Sequence, residues 1–292
     1  MPRTPAVLRS FVLATAIALI APGGAASVLA ASGPTFAALR AAGQTEVTDV
    51  FVRPPQTQSN DQPLQVVIAL HGMGGNGVDF GGALASQADQ YGWLLVAPTI
   101  NYGDWTDPNV IVREEPALIA WLSDYVTTLS ARTGYDVQPK VLLFGHSRGA
   151  QLAMRFSEVH PDQVLGVAAL SAGTYTLPVA TDPRGHALDF PFGIADLARA
   201  DGGQAFDASG FDALPIWIGV GAADINPADL PSAWTPYLGN TRVKRAQTFF
   251  DTLRRQGGKV SLSVFPDTDH TLTDAMRSAG CTMLAGDVAN AH

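Results

Sequence analysis

Short apolar runs alternate with longer amphipathic stretches from about residue 47 to the end of the chain. Several of the short runs are almost continuous in Val, Ile and Leu, as is typical of strands buried on both faces of a parallel sheet. These runs predict strands over 47–53, 64–70, 93–97, 140–145, 164–170, 215–220 and 259–265. Apolar residues at helical spacing predict helices over about 80–91, 113–132, 148–158, 242–256 and 271–286. The alternation predicts an α/β fold with a mostly parallel sheet flanked by helices.

A stretch at about 174–213 interrupts this alternation because it has little periodicity. A connection of this length inside a compact domain is usually either functional or disordered. Its many aromatic residues favour an ordered, cap-like insertion over the sheet. Tyr175 is the residue of this insertion that we expect at a substrate site, although the aromatic side chains could equally form a small satellite core.

The first thirty residues have the pattern of a secretory signal. Arg3 and Arg9 precede an apolar run over 11–21, and Pro22 with two glycines ends it before a stretch of small residues. A buried or membrane-spanning helix is the alternative, but the run is short for a span and Pro22 would break it. We therefore expect a secreted or periplasmic protein.

The small residues after the apolar run offer a cleavage site after Ala30, with Ala26 and Ala31 as alternatives. Residues 1–30 would then be the signal peptide, and 31–292 the mature domain. No cysteine follows the apolar run closely enough to carry a lipid, so we expect no stable membrane anchor after cleavage.

Charge and cysteine content narrow the function further. The formal net charge is −8, and it becomes −10 without residues 1–30, because 16 basic and 26 acidic residues remain. An acidic protein repels phosphate backbones, so nucleic-acid binding is not expected. Cys281 is the only cysteine, which excludes an internal disulfide, and it lies in an apolar helical pattern typical of a core position.

A candidate nucleophile lies in the pentapeptide Gly145-His146-Ser147-Arg148-Gly149. Gly and Ser are common in this chain, so the pentapeptide alone is weak evidence. Its position is more informative, because it directly follows a predicted strand and opens a predicted helix. A serine at such a strand-to-helix turn is held above the sheet in a strained conformation. The alternative is a serine that only caps the helix.

With this motif the chain resembles the α/β-hydrolase superfamily, from about Val47 to the C-terminal helix. It is most similar to bacterial secreted esterases and polyhydroxybutyrate-depolymerase-like hydrolases. The resemblance implies an α/β-hydrolase fold and hydrolysis of a small or polymeric carboxylic ester through an acyl-enzyme, with no cofactor.

The remaining members of a catalytic triad follow later strands. His270 comes directly after the last predicted strand, and Asp224 comes just past the penultimate one. The order Ser, acid, His is the one expected for this fold. Asp229 is the fallback for the acid because it is close behind in a loop. In this arrangement Asp224 orients His270, and His270 removes the proton from Ser147.

A glycine-rich segment, 71–77, follows the second predicted strand and would lie beside the nucleophile. There the Met73 N–H, with Gly74 in reserve, would form an oxyanion hole together with the Arg148 N–H. The side chain of His71 is expected to be structural.

The same segment also satisfies a dinucleotide-binding fingerprint through Gly72, Gly74 and Gly77. That fingerprint needs an acidic residue at the end of the next strand. The first acidic residue beyond that strand is Asp104, so the fingerprint is incomplete.

Tyr102 and Trp105 follow the third predicted strand and could form walls of the substrate site, although surface packing would also explain them. No metal-binding motif occurs in the sequence. Two other functions stay open: a secreted serine peptidase of the same fold, and a non-catalytic binding protein that has kept the scaffold.

Overall fold

A computed structural model describes residues 26–28, 46–57, 62–200 and 205–291, the side chains of 26–28, 199 and 200 excepted. The expected signal peptide therefore lies almost entirely outside the described residues.

The described strands form a single sheet with eight members. They are β1 (Ala26–Val28), β2 (Glu46–Arg53), β3 (Val66–Leu70), β4 (Leu94–Asn101), β5 (Val141–His146), β6 (Val164–Leu170), β7 (Ile216–Gly221) and β8 (Val260–Phe265). The order across the sheet is β1-β2-β4-β3-β5-β6-β7-β8. The pairs β1–β2 and β2–β4 are antiparallel, and the pairs from β4 to β8 are parallel. The prediction of a mostly parallel sheet flanked by helices is confirmed.

The helices connect these strands. They are α1 (Gly77–Gly82), α2 (Ala85–Tyr91), α3 (Pro108–Thr127), α4 (Leu129–Thr133), α5 (Arg148–Val159), α6 (Leu197–Ala200), α7 (Ala208–Ala213), α8 (Thr235–Leu238), α9 (Arg242–Gln256) and α10 (Asp274–Ala291). None of the helices in the described part of the chain is long and apolar enough to cross a membrane.

Most differences from the predicted elements lie at their ends. The predicted helix at 80–91 is two helices, α1 and α2, and the one at 113–132 begins earlier, at Pro108, where Asp107 caps it. The strand β4 continues to Asn101, beyond its predicted end at 97. The pairing of β1 with β2 was not predicted.

Two apolar layers cover the two faces of the sheet. One face packs against α3, α5 and α9, and the other packs against α2 and α10. Cys281 belongs to the second layer and is buried, as its sequence pattern indicated.

The described part of the long connection between β6 and β7 packs against the first layer. Tyr175, Phe190 and Phe211 are all buried in the same core cluster as the strands. Its aromatic side chains therefore extend the main core, instead of forming a separate satellite core.

Candidate active site

Ser147 occupies the sharp turn between β5 and α5. Its backbone dihedrals are φ 53° and ψ −114°, a region that residues with a Cβ rarely adopt. Its N–H donates to the Leu170 carbonyl at 2.8 Å, which ties the turn to the neighbouring strand. Gly149 allows the turn to approach β3, because a Cβ at that position would lie 2.0 Å from the Leu70 oxygen. The sequence thus produces a strained turn that presents Ser147 at the edge of the sheet.

His270 bridges Ser147 and Asp224. Its Nε2 lies 2.9 Å from Ser147 Oγ, and its Nδ1 lies 2.8 Å from Asp224 Oδ2. An ionised carboxylate only accepts hydrogen bonds, so Nδ1 carries the proton and Nε2 is left as the acceptor for the serine hydroxyl. The three residues named from the sequence are therefore joined by hydrogen bonds in the order that proton transfer requires.

The sheet explains why residues so distant in sequence meet. Ser147, Asp224 and His270 follow β5, β7 and β8, and the carboxyl ends of parallel strands lie at one edge. Gly221 then lets the loop that carries His270 lie across the end of β7. A Cβ at Gly221 would be 2.2 Å from the Thr268 oxygen, so a larger residue would push this loop away.

Asp224 is buried and has a second partner, Arg242. Arg242 Nη1 donates to Asp224 Oδ1 at 2.9 Å, and Nη2 donates to the Asp229 carbonyl at 3.2 Å. Burial acts to raise the pKa of Asp224, but the hydrogen bond to His270 and the charge of Arg242 outweigh it and hold that pKa below its usual value. Asp224 is therefore ionised at neutral pH.

Asp229, the fallback for the acid, does not take that place. Its carboxylate accepts from Asn226 Nδ2 at 3.0 Å, while Asp224 takes the bond to His270.

The glycine-rich loop lies directly against the turn that carries Ser147. A Cβ at Gly72 would be 3.2 Å from Ser147 Cβ. His71 anchors the loop: its Nε2 accepts from the Ile100 N–H at 2.9 Å, so its Nδ1 carries the proton that bonds to the Gly72 carbonyl at 2.6 Å. Burial lowers the pKa of His71, which keeps the ring neutral. The side chain is thus structural, as we expected, and Met73 lies in the wall beside Ser147.

Arg148 follows Ser147, and its side chain points into the core. It is fully buried, bonds to Glu114 Oε1 at 2.5 Å and also pairs with Glu115. Burial opposes its positive charge, but the two carboxylates outweigh burial and raise its pKa. Glu114 Oε2 also accepts from the Gly103 N–H at 2.6 Å. The side chain of Arg148 therefore fixes the first turn of α5, while its N–H is at the helix start beside Ser147.

His146 packs beside His270. Its ring centroid lies 5.1 Å from that of His270. Burial, and then the neighbouring His270, lower the pKa of His146 to about 4, so this ring is neutral at pH 7. It is therefore a packing partner of His270.

A pocket of 680 Å³ opens over Ser147 and His270. Phe80, Ala83 and Leu272 form an apolar part of its wall. Charged residues also reach it, and these are Asp79, Asp229, Arg242 and Arg277. The pocket can hold an apolar group beside a polar or charged one.

The three aromatic residues expected around the substrate have different places. Trp105 lines the pocket. Tyr102 does not: its ring lies 4.7 Å from the Arg148 guanidinium and edge-on to His71, so it packs against these two residues. Tyr175 is buried and stacks on Phe249 with centroids 4.4 Å apart, away from the pocket. The expectation that Tyr102 and Tyr175 form substrate walls is therefore corrected.

Three residues that line the pocket were not predicted from the sequence, and these are Arg242, Phe80 and Leu272. A weak signal existed for Arg242, because it is the first residue of a predicted helix, where a positive charge is disfavoured by the helix dipole. The pocket walls gave no signal, since Phe80 and Leu272 look like ordinary packing positions in the sequence.

Comparisons with known proteins show similarity in structure. Poly(aspartic acid) hydrolase-1 from Sphingomonas sp. KT-1 matches with a TM-score of 0.62 at 22% identity, over 92% of this chain and 97% of that one. A phospholipase/carboxylesterase from Dyadobacter fermentans DSM 18053 matches with 0.52 at 18% identity, over 82% and 97%. An S-formylglutathione hydrolase from Agrobacterium tumefaciens matches with 0.51 at 17% identity, over 82% and 87%.

Protein-family models and curated protein sequences gave no match to the chain. These structural matches cover at least 82% of this chain and at least 87% of each matched protein, and those proteins are named as hydrolases or as a phospholipase/carboxylesterase. The chain therefore has the α/β-hydrolase fold, as its resemblance to that superfamily implied.

Proposed function

We propose that this chain is a serine hydrolase that cleaves carboxylic esters through an acyl-enzyme on Ser147. The observation that carries the proposal is the bridge of His270 between Ser147 Oγ and Asp224 Oδ2 at the floor of an open pocket. A serine hydroxyl becomes a good nucleophile when a neighbouring imidazole accepts its proton.

The reaction would follow from the orientation of these groups. Ser147 Oγ attacks the ester carbonyl while His270 Nε2 takes the hydroxyl proton, and Asp224 stabilises the imidazolium. The N–H groups of Met73 and Arg148 would bind the oxyanion. The tetrahedral intermediate then collapses: the bond between the former carbonyl carbon and the alkoxy oxygen breaks, and the alcohol leaves with the proton from His270. Water, activated by the same imidazole, finally cleaves the acyl-serine ester and releases the acid.

The test compares the purified protein with Ser147→Ala on p-nitrophenyl esters of graded chain length, a polyester and peptide amides. Ser86→Ala is the matched control because Ser86 is an exposed helical serine that does not belong to the pocket lining. We expect Ser147→Ala to lose hydrolysis and covalent labelling by a phosphonate probe, and Ser86→Ala to keep both. Equal hydrolysis by the protein and Ser147→Ala would refute the mechanism, and cleavage of amides alone would replace the esterase by a peptidase.

A second candidate substrate is an acidic polymer. The similar protein from Sphingomonas is named for poly(aspartic acid), and Arg277 lines the pocket of this chain. Arg277 bonds to the Leu272 carbonyl at 2.9 Å and pairs with the exposed Asp274. Because Arg242 is held by Asp224, Arg277 is the cation best placed to meet a substrate carboxylate. For this substrate, Arg277→Gln should raise KM for poly(aspartic acid) and leave KM for a neutral p-nitrophenyl ester unchanged.

Export is part of the proposal and rests on the sequence pattern of residues 1–30. Sequencing the N-terminus of protein recovered from the periplasm or the medium tests it. Cleavage after Ala30 would remove β1, whereas an intact N-terminus in the cytoplasm would contradict export.

A further inference from the structure

Each oxygen of the Asp224 carboxylate has its own partner. Oδ2 accepts from His270 at 2.8 Å, and Oδ1 accepts from Arg242 at 2.9 Å. Arg242 also donates to the Asp229 carbonyl, so its guanidinium is fixed at two points of the loop that carries the acid. The carboxylate cannot rotate away from His270 without losing the bond to Arg242.

Arg242 is the first residue of α9, but it does not stabilise the start of that helix. The positive end of a helix dipole disfavours a cation at this position, and Thr241 supplies the cap by accepting from the Lys244 N–H. Arg242 is also buried, and a buried guanidinium is costly unless it is paired. Its pairing with Asp224 is the interaction that accounts for its place.

We propose that Arg242 is a positioning residue that keeps Asp224 ionised and turned toward His270, and that it thereby sets the lower pH limit of the activity. Its kinetic consequence rests on the function proposed above. Arg242 acts through Asp224, because a positive charge beside the Asp224–His270 pair opposes the binding of a proton by that pair.

Several other titratable groups face this pair or Arg242. They are His146 on β5, Tyr175 in the insertion, Asp229 in the loop that carries Asp224, Arg245 on α9, and Asp269 next to His270. Hydrogen bonds with Thr271 lower the pKa of Asp269, so its carboxylate stays ionised over the pH range in question. His146 is neutral above about pH 4, and burial raises the pKa of Tyr175, so neither changes charge between pH 5 and 8. Asp229 reaches Arg242 through its backbone carbonyl.

Arg245 supplies a natural control. It lies one turn further along α9 and is buried like Arg242. It donates to the carbonyl oxygens of Gly173, Pro231 and Gly239 and to Thr235 Oγ1. Replacing Arg245 therefore removes a buried guanidinium of the same kind whose hydrogen bonds go to backbone and hydroxyl oxygens and not to Asp224.

The experiment measures kcat and KM against pH for Arg242→Gln, Arg242→Lys and Arg245→Gln with one p-nitrophenyl ester. We expect Arg242→Gln to move the acidic limb of the pH–kcat profile to higher pH by about one unit. This is the size expected when an ionisable group loses an opposite charge in contact with it. The plateau kcat of this variant should fall about 10- to 100-fold, the equivalent of one charge-assisted hydrogen bond, with KM little changed. Arg242→Lys should keep the limb and lose part of kcat, and Arg245→Gln should lose stability without moving the limb. An unmoved limb in Arg242→Gln, or an equal shift in Arg245→Gln, overturns the proposal.

Two further measurements separate the possible failures. In an Asp224→Asn background, Arg242→Gln should cost no further activity, whereas an undiminished loss would mean that Arg242 contacts substrate. The NMR titration of His270, assigned by its absence in His270→Gln, should move to higher pH in Arg242→Gln whether or not the ester is hydrolysed. If the protein hydrolyses no ester but the His270 titration still moves in Arg242→Gln, the proposed function is contradicted and the role of Arg242 is supported. If Arg242→Gln does not fold, Arg242→Lys decides: a moved limb overturns the proposal, and an unmoved limb with lower kcat supports it.

Discussion

The strained backbone of Ser147 can be tested through the stability of two variants that both lack the hydroxyl. At φ 53° and ψ −114° a Cβ is strained, whereas glycine adopts this region freely. Ser147→Ala keeps the Cβ and therefore the strain, while Ser147→Gly removes both. Both variants lose the hydroxyl and its bond to His270, so that loss cancels when the two are compared.

The sign of the difference follows from two opposing contributions. A residue held in such a region costs roughly 1–3 kcal/mol. Glycine at an ordinary position costs about 0.5–1 kcal/mol relative to alanine, because the unfolded chain gains freedom. We therefore expect Ser147→Gly to be more stable than Ser147→Ala by about 1 kcal/mol, which corresponds to a Tm higher by about 2 °C.

Ser278 is the matched control, since it is an exposed serine in the interior of α10. There the order should be reversed, with Ser278→Gly less stable than Ser278→Ala by about 1 kcal/mol. Urea unfolding of all four variants, followed by circular dichroism, gives the free energies of unfolding. If glycine were the less stable residue at both positions, the turn at Ser147 would not be strained and the reasoning would fail.

Three further predictions concern the acid, the close packing behind the nucleophile and a half-buried carboxyl group. Asp224→Asn should lower kcat by about 10³–10⁴-fold, as expected for loss of the orienting acid, while Asp229→Asn should leave kcat near that of the unaltered protein; similar losses in both would remove Asp224 from its role. Gly149→Ala should destabilise the fold by about 3 kcal/mol, because its Cβ would overlap the Leu70 oxygen, whereas Gly82→Ala meets no atom within 4 Å and should be neutral or slightly stabilising in thermal melts. Burial raises the pKa of Asp287 to about 6, so the folded state binds this proton more tightly than the unfolded state and loses stability as pH rises from about 4 to 6. Asp287→Asn should then raise the free energy of unfolding at pH 8 by about 1–2 kcal/mol, after allowance for its partial exposure, and should not raise it at pH 4. An equal effect at both pH values in urea unfolding would exclude this cause.

The strands and the order of the site residues could be predicted because each depends on a local pattern. Strands buried on both faces must be apolar throughout, and the apolar runs that predicted β5, β7 and β8 are of this kind. Once those strands are parallel, residues directly after them lie at one edge of the sheet. Ser147, Asp224 and His270 could therefore be named together although 123 residues separate the first from the last.

Aromatic side chains could not be assigned in the same way, because their place depends on which face a loop turns toward the core. Tyr102, Trp105 and Tyr175 all follow strands at the correct edge, yet Trp105 alone of the three lines the pocket. The insertion after β6 is rich in aromatic residues because it covers the sheet, and those residues have no periodicity because they lie in loops and short helices. A large apolar side chain at the edge of a sheet therefore indicates packing at least as strongly as it indicates a substrate wall.

Two buried arginines, Arg148 and Arg242, hold the site by pairing with buried carboxylates, and in the sequence both look like surface residues. Arginine is seldom fully buried, and the position after the nucleophile serine is identified by its N–H and not by its side chain. Here the Arg148 guanidinium binds Glu114, and Glu114 also holds the Gly103 N–H of the loop that leads to Trp105. Arg242 holds the acid in the same manner at the other end of the hydrogen-bonded chain. Because a buried carboxylate is the partner in each case, the signal to look for is an unexplained acid on an apolar helical face, such as the consecutive Glu114 and Glu115. Such a pair is costly to bury unless an arginine from another element reaches it, and that element is then fixed in position by the pairing.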